Sequence, residues 1–146
     1  HDDADNFKLY LYDFKNKTAK ELVSLTGKDE SIESFVWSQK GDSLYYTRVD
    51  YETKTSKLCR FNFTTEKCFQ IELKGNWDVL DSNKETLLLK YWKASSSQNL
   101  YLYNTQTGKL TPLDEKGNSR KAFFVGDKVF WTSKVNPIVQ TANSLF

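Results

Sequence analysis

Three observations predict an all-β protein assembled from repeated four-stranded units. Short runs rich in aromatic and β-branched residues alternate with polar turn clusters along the chain. The pattern polar-Leu-x-x-aromatic-Asp/Asn occurs three times, at Lys8–Asp13, Lys57–Asn62 and Asn99–Asn104. No stretch spaces its apolar residues as an amphipathic helix does. Lys20 to Leu25 is long enough for little more than one helical turn before Gly27 ends it, and its place after a hairpin turn suits a strand.

Each copy of the pattern is followed by a polar turn and a return strand. Lys15–Thr18 leads into Glu21–Val23, Thr64–Lys67 into Phe69–Ile71, and Thr105–Lys109 into Leu110–Leu113. A second hairpin then completes each unit. Phe35–Trp37 and Leu44–Thr47 flank the break Ser38-Gln39-Lys40-Gly41-Asp42, and Trp77–Leu80 and Thr86–Tyr91 flank Asp81–Glu85. Ala122–Val125 and Lys128–Trp131 flank Gly126-Asp127, a two-residue turn of the kind that closes tight hairpins. The repeats are drawn at 7–50, 56–92 and 98–134, after an acidic leader at 1–6 and before a tail, or the start of a further strand, at 135–146. Asp50–Ser56 and Lys93–Gln98 read as exposed linkers between units.

About four strands in about forty to fifty residues is the size of a propeller blade. Phe35 to Thr47 carries a resemblance to a family with that architecture. Trp37, Ser38, Gly41, Leu44 and Tyr46 match the W-S-P-D-G-K-x-L-x-[FY] hairpin of β-propeller repeats in TolB-like proteins and prolyl oligopeptidase-type (dipeptidyl peptidase IV-like) peptidases. Gln39 stands where that pattern has Pro, and Lys40 where it has Asp. Tyr103 to Leu113 resembles the y-d-l-x-t-G-k-x-x-x-L-T segment of the same repeats. Known propellers close with about four to eight blades, so three repeats imply an incomplete ring, completed by further blades of the same protein or by another chain. The absence of Met and the polar start at His1 fit either a removed secretory signal, hence a periplasmic or secreted location, or excision from a longer chain.

The resemblance implies a non-catalytic scaffold that binds a protein or peptide. One alternative is the substrate-gating propeller of a serine peptidase whose hydrolase domain lies outside this chain. Another is a small self-closed sandwich or barrel that binds a ligand, which predicts a stable monomer. The loops nominated as contact surface contain Gln39, Lys40 and Asp42, then Tyr51, then Trp92 and Gln98.

The chemistry of the residues agrees with a non-catalytic segment. The only histidine is His1, and no G-x-S-x-G turn occurs, so the parts of a Ser-His-Asp hydrolase are not assembled in this sequence. The carboxylate spacings Asp78/Asp81 and Glu30/Glu33 read as turn and surface residues. Asp2-Asp3-Ala4-Asp5-Asn6 has the charge of a calcium loop without its glycine or spacing. No catalytic, cofactor or metal residue is therefore predicted.

Charge narrows the partners. With 21 basic and 19 acidic residues the formal charge is +2, and no basic cluster interleaves the aromatics, so nucleic acid is not expected. The longest apolar runs, such as Leu87-Leu88-Leu89, are too short to span a bilayer. The four Trp, eight Tyr and ten Phe read mainly as packing between sheets, with Tyr10/Tyr12, Tyr101/Tyr103, Trp37, Trp77 and Trp131 inside and Trp92 exposed. With Thr64–Lys67 as the turn, Cys68 faces Phe63 and Cys59 lies about four residues farther on, roughly 13 Å away, too far for a disulfide. Asn16-Lys17-Thr18 and Asn62-Phe63-Thr64 are glycosylation sequons beside predicted turns.

Overall fold

The computed structural model describes residues 7–92, 98–114 and 118–134, all strands and tight connections. The strands are β1 (Lys8–Asp13), β2 (Thr18–Ser24), β3 (Glu30–Trp37), β4 (Ser43–Asp50), β5 (Thr55–Asn62), β6 (Lys67–Gln70), β7 (Trp77–Asn83), β8 (Thr86–Trp92), β9 (Gln98–Asn104), β10 (Leu110–Asp114), β11 (Asn118–Val125) and β12 (Lys128–Lys134). Every pairing is antiparallel and joins neighbours in sequence.

One turn design recurs at four hairpins. An Asp or Asn ends the first strand and its side-chain oxygen accepts the amide protons of the residues two and three positions on. Asp13 serves Lys15 and Asn16, Asp50 serves Glu52 and Thr53, Asn62 serves Thr64 and Thr65, and Asn104 serves Gln106 and Thr107. The following residue is left-handed: Lys17 at φ 54°, Lys54 at 55°, Glu66 at 56° and Gly108 at 72°. An Asx side chain supplies the local hydrogen bonds that such a turn needs. The Asp/Asn that closes the repeated sequence pattern at Asp13, Asn62 and Asn104 is thus the turn-forming residue.

The strands form two four-stranded sheets, β3-β4-β5-β6 and β7-β8-β9-β10, and two separate hairpins, β1-β2 and β11-β12. The sequence repeat is out of phase with these sheets. Each four-stranded sheet takes its first two strands from the end of one repeat and its last two from the start of the next. Asp50–Ser56, expected to link two units, instead spans the β4–β5 turn inside one sheet, and β8 and β9, drawn in different units, likewise pair within one sheet. The described connections between sheets are 25–29 and 71–76. The first hairpin repeats the last half of a sheet and the final hairpin the first half.

Packing explains why strands β4 and β8 read as continuous apolar runs: both of their faces are buried. Tyr45 on β4 joins Leu58, Trp77, Val79, Leu87, Leu89 and Tyr103 between the two large sheets. Its neighbours Leu44 and Tyr46 point the other way, to Val23, Leu25, Cys59 and Phe61 against the first hairpin. On β8, Leu88 faces Leu100 and Ala122 beneath the last hairpin. Three apolar layers therefore separate four β-layers stacked in chain order. Strands β3, β7 and β11 are neighbours across the stack, which makes them the strands on one side, while β6, exposed throughout, lies on the other.

Gly75 sits where the chain enters β7. Its φ is 116°, and a Cβ there would lie 2.8 Å from the Tyr91 ring and 3.1 Å from Trp77 Nε1. The absent side chain lets Trp77 pack on Tyr91 and Tyr101 while its indole N–H donates to the Lys74 carbonyl over 3.1 Å.

Several expectations are corrected. Trp77 and Tyr103 are buried and Tyr101 and Trp131 partly so, but Tyr10, Tyr12 and Trp37 are about half exposed. Tyr10 and Tyr12 face away from the second sheet, and Trp37 stacks on Phe63 at 5.0 Å near the surface. Strand β7 extends to Asn83, so the broad turn drawn at Asp81–Glu85 shrinks to Lys84-Glu85. Strand β6 starts at Lys67, which puts Cys68 opposite Phe61 rather than Phe63. The two cysteines are then offset by about two residues rather than four. Both are free thiols, Cys59 buried and Cys68 exposed.

Candidate functional site

The hairpins divide the loops between two ends of the stack. At one end lie the turns β1–β2, β3–β4, β5–β6, β7–β8, β9–β10 and β11–β12. At the other lie the β4–β5 turn and the described connections between sheets, 25–29 and 71–76. The nominated contact residues are therefore split. Gln39, Lys40 and Asp42 occupy the first end, whereas Tyr51 lies at the second, as do Trp92 and Gln98, the last paired rung of β8 and β9. Residues 93–97, and the expected exposure of Trp92, lie outside the described residues.

At the first end the β3–β4 turn is locked by its own polar groups. Ser38 Oγ donates to Asp42 Oδ1 over 2.8 Å and accepts from the Ser43 amide over 3.1 Å. The Ser38 hydroxyl holds the Asp42 carboxyl below the ordinary carboxylate range, and the nearby Arg60 charge acts in the same direction. Gln39 Oε1 accepts the Lys84 amide proton over 2.9 Å, tying this turn to the β7–β8 turn of the next sheet. Ser82 Oγ donates to the Trp37 carbonyl beside it. Farther along, the Thr105 amide donates to the Glu85 carbonyl over 2.8 Å.

These linked turns surround a cleft of about 210 Å3 between the two large sheets, lined by Lys40, Asp42, Tyr45, Arg60, Lys84 and Glu85 among others. Arg60, which sequence reasoning did not nominate, reaches the cleft from the middle of β5. Its Nε donates to Ser43 Oγ over 2.8 Å, and its guanidinium carbon lies 5.7 Å from the ring centres of both Tyr45 and Phe69. The signal was present: Arg60 stands in the repeat where the other copies have Leu11 and Leu102.

At the second end, Tyr51 donates its phenol proton to the Glu33 carboxylate, which also accepts from Ser31 Oγ. These hydrogen bonds, Ser31 first, hold Glu33 below the ordinary carboxylate range, and Glu33 in turn pushes the Tyr51 phenol up. Glu30 is clamped by Arg48, with Nε to Oε1 at 2.8 Å and Nη2 to Oε2 at 2.6 Å. Asp81 accepts from the amides of Ser82 and Phe124. The carboxylates of the Glu30/Glu33 pair, and Asp81, are thus engaged in holding strands and turns.

No protein-family model and no curated protein matches the chain. Solved structures do. TolB from Acinetobacter baumannii superposes with a TM-score of 0.69 over 88% of this chain, at 15% identity. This is the fold of β-propeller blades. The stack of antiparallel sheets is a partial propeller, with no closed ring among the described residues. Lower similarity extends to the β-propeller domain of the Trilobed protease from Pyrococcus furiosus, with a TM-score of 0.47 and 13% identity over 88% of this chain and 57% of that one. The Pyrococcus horikoshii acylaminoacyl peptidase likewise gives 0.47 and 14% identity over 86% of this chain and 32% of that one. The propeller segment spans 32% of the length of the TolB chain it matches.

Proposed function

We propose that this propeller segment is a non-catalytic scaffold that binds a protein or peptide and works within a larger ring, its blades completed by further strands. The observation that carries this reading is the aromatic surface on both outer layers. Tyr10, Tyr12 and Phe14 on the first hairpin are 50–87% exposed, and Phe123 and Phe130 on the last are about half exposed with their rings stacked at 6.0 Å. Inside the stack the equivalent faces are covered by an adjoining layer: Cys59 and Phe61, at the repeat positions of Tyr10 and Tyr12, pack against the first hairpin, and Tyr101 and Tyr103 against the preceding sheet. Exposed apolar patches of this kind mark surfaces that meet another body, and the outer edges of β1 and β12, which pair with no further strand among the described residues, offer backbone groups for strand addition.

Two measurements on one preparation test the proposal: native mass by light scattering over a concentration series, and selection of binding peptides from a display library. The expected result is concentration-dependent association that weakens in Tyr12→Lys and Phe130→Lys, together with recovered peptides that bind the folded chain. A monomer at every concentration that selects no peptide overturns it.

A further inference from the structure

We infer that the cleft between the two four-stranded sheets is a binding site for a peptide carboxylate, either a chain terminus or an acidic side chain. The inference rests on the scaffold reading above and specifies what the scaffold recognises.

The receptor is Arg60. Its Nε is engaged by Ser43 Oγ at 2.8 Å, and Tyr45 and Phe69 flank its guanidinium at 5.7 Å, so the side chain is fixed before any ligand arrives. The two terminal nitrogens have no acceptor among the described residues, although a guanidinium carries five donors in a planar fork suited to a carboxylate. Preorganisation of this kind lowers the entropy lost on binding. Lys40 and Lys84 line the same cleft, and neither ammonium has an ion-pair partner among the described residues.

Charge and size select the ligand. Three cations, Lys40, Arg60 and Lys84, face two carboxylates, Asp42 and Glu85, for a formal balance of +1. That balance matches a monoanion and disfavours a phosphate dianion. The Asp42 carboxylate already accepts the Ser38 hydroxyl. Glu85 has no side-chain donor among the described residues and provides an acceptor for a peptide N–H beside the bound carboxylate. The volume of about 210 Å3 falls below the roughly 300–1,000 Å3 of a site for a whole small molecule. It admits the end of a chain or one side chain.

The site binds the two sheets to each other as well as to the ligand. Gln39, Lys84, Glu85 and Thr105 hold the rim through hydrogen bonds between turns, so the cleft depends on the stacked blades and is absent from either sheet alone.

The test uses peptides recovered from the display selection, synthesised with an acetylated N-terminus in three forms: free acid, C-terminal amide, and amide with each Asp or Glu replaced by Asn or Gln. Binding is read by fluorescence anisotropy at two salt concentrations. Loss of at least tenfold in affinity on amidation assigns a chain terminus; the same loss only on neutralising the side chains assigns an acidic residue. Arg60→Gln is expected to weaken the carboxylate form at least tenfold, with Arg60→Lys a poor substitute because it loses the fork. Lys40→Gln, at an exposed turn position, is expected to weaken it severalfold and covers the case in which the Arg60 variants do not fold. Equal binding of all three peptide forms, or unchanged affinity in folded Arg60→Gln, overturns the carboxylate site and leaves the scaffold reading standing. If no peptide binds the unaltered chain, the carboxylate site falls, and the scaffold reading falls with it only when the chain is also a monomer at every concentration.

Discussion

The backbone amide of Phe124 donates to Asp81 Oδ2 over 2.7 Å, so one carboxylate on β7 fastens the final hairpin to the sheet before it. The other oxygen of Asp81 accepts the Ser82 amide over 2.8 Å. Both bonds stand at the break in register between Val79 and Asp81, where the irregular strand turns this side chain toward its neighbour. Replacing Asp81 with Ala leaves the Phe124 amide without its acceptor. The expected loss is about 1.5–3 kcal/mol by denaturant unfolding, with Asp81→Asn losing less. An unchanged midpoint in Asp81→Ala refutes the role.

The left-handed lysines make the opposite prediction. Lys54 holds φ 55° at an exposed turn where a side chain brings steric cost and no buried contact. Lys54→Gly is expected to stabilise the chain by about 0.5–1 kcal/mol, and Asp50→Ala, which removes the acceptor of the Glu52 and Thr53 amides in the same turn, to destabilise it. Thermal unfolding of the two variants should move in opposite directions.

Acid should weaken the β3–β4 pair. The bidentate hydrogen bonds from Arg48 hold the Glu30 carboxyl below its ordinary range, with burial opposing them and the Gly27 amide assisting. Because the folded value lies below the unfolded one, the stabilisation is fully present above about pH 4.3 and is lost as pH falls through the folded value. Glu30→Gln should flatten that part of the acid limb. Solvent around the partly exposed Arg48 keeps the contribution to about 1 kcal/mol. An identical pH profile in wild type and Glu30→Gln counts against it.

The thiols offer a direct probe of packing. Cys68 is exposed on the outer strand, whereas Cys59 is buried beside Tyr46 and burial pushes its thiol up. A thiol reagent at neutral pH should titrate one cysteine in the native chain and two in denaturant. Rapid reaction of both in the native state would place Cys59 outside the core.

Much of this architecture was legible in the sequence. The Leu of each repeat marks an inward position, Leu58 and Leu100 being buried and Leu9 partly so, and the Asp/Asn that ends each copy forms its turn. What the pattern left ambiguous was phase. Adjacent antiparallel pairing is satisfied equally by sheets that start at β1 or at β3, and only packing between layers separates the two. The Cys68 register was missed because the left-handed position falls to Glu66, a residue that steric rules do not mark for positive φ. At the candidate site, Lys40 and Asp42 were found as polar turn residues. Arg60 was passed over because it lies within a strand, where one charge among Cys59, Phe61 and Phe63 looks like an ordinary outward position. Tyr10 and Tyr12 were assigned to a core because alternation reports which residues share a face and says nothing about what covers that face.

The three apolar layers also set an order of disassembly. Each sheet packs on its sequence neighbours, so the first hairpin is retained through Val23, Leu25 and the residues facing them, and the last through Ala122, Phe124, Val129 and Trp131. Either outer hairpin can detach without uncovering Tyr45, Trp77 and Leu89 in the central layer. Amide protons should therefore exchange from the flanks inward, with β4, β5, β8 and β9 the last to open, and a neighbour docked on either flank would slow exchange at strands it never touches.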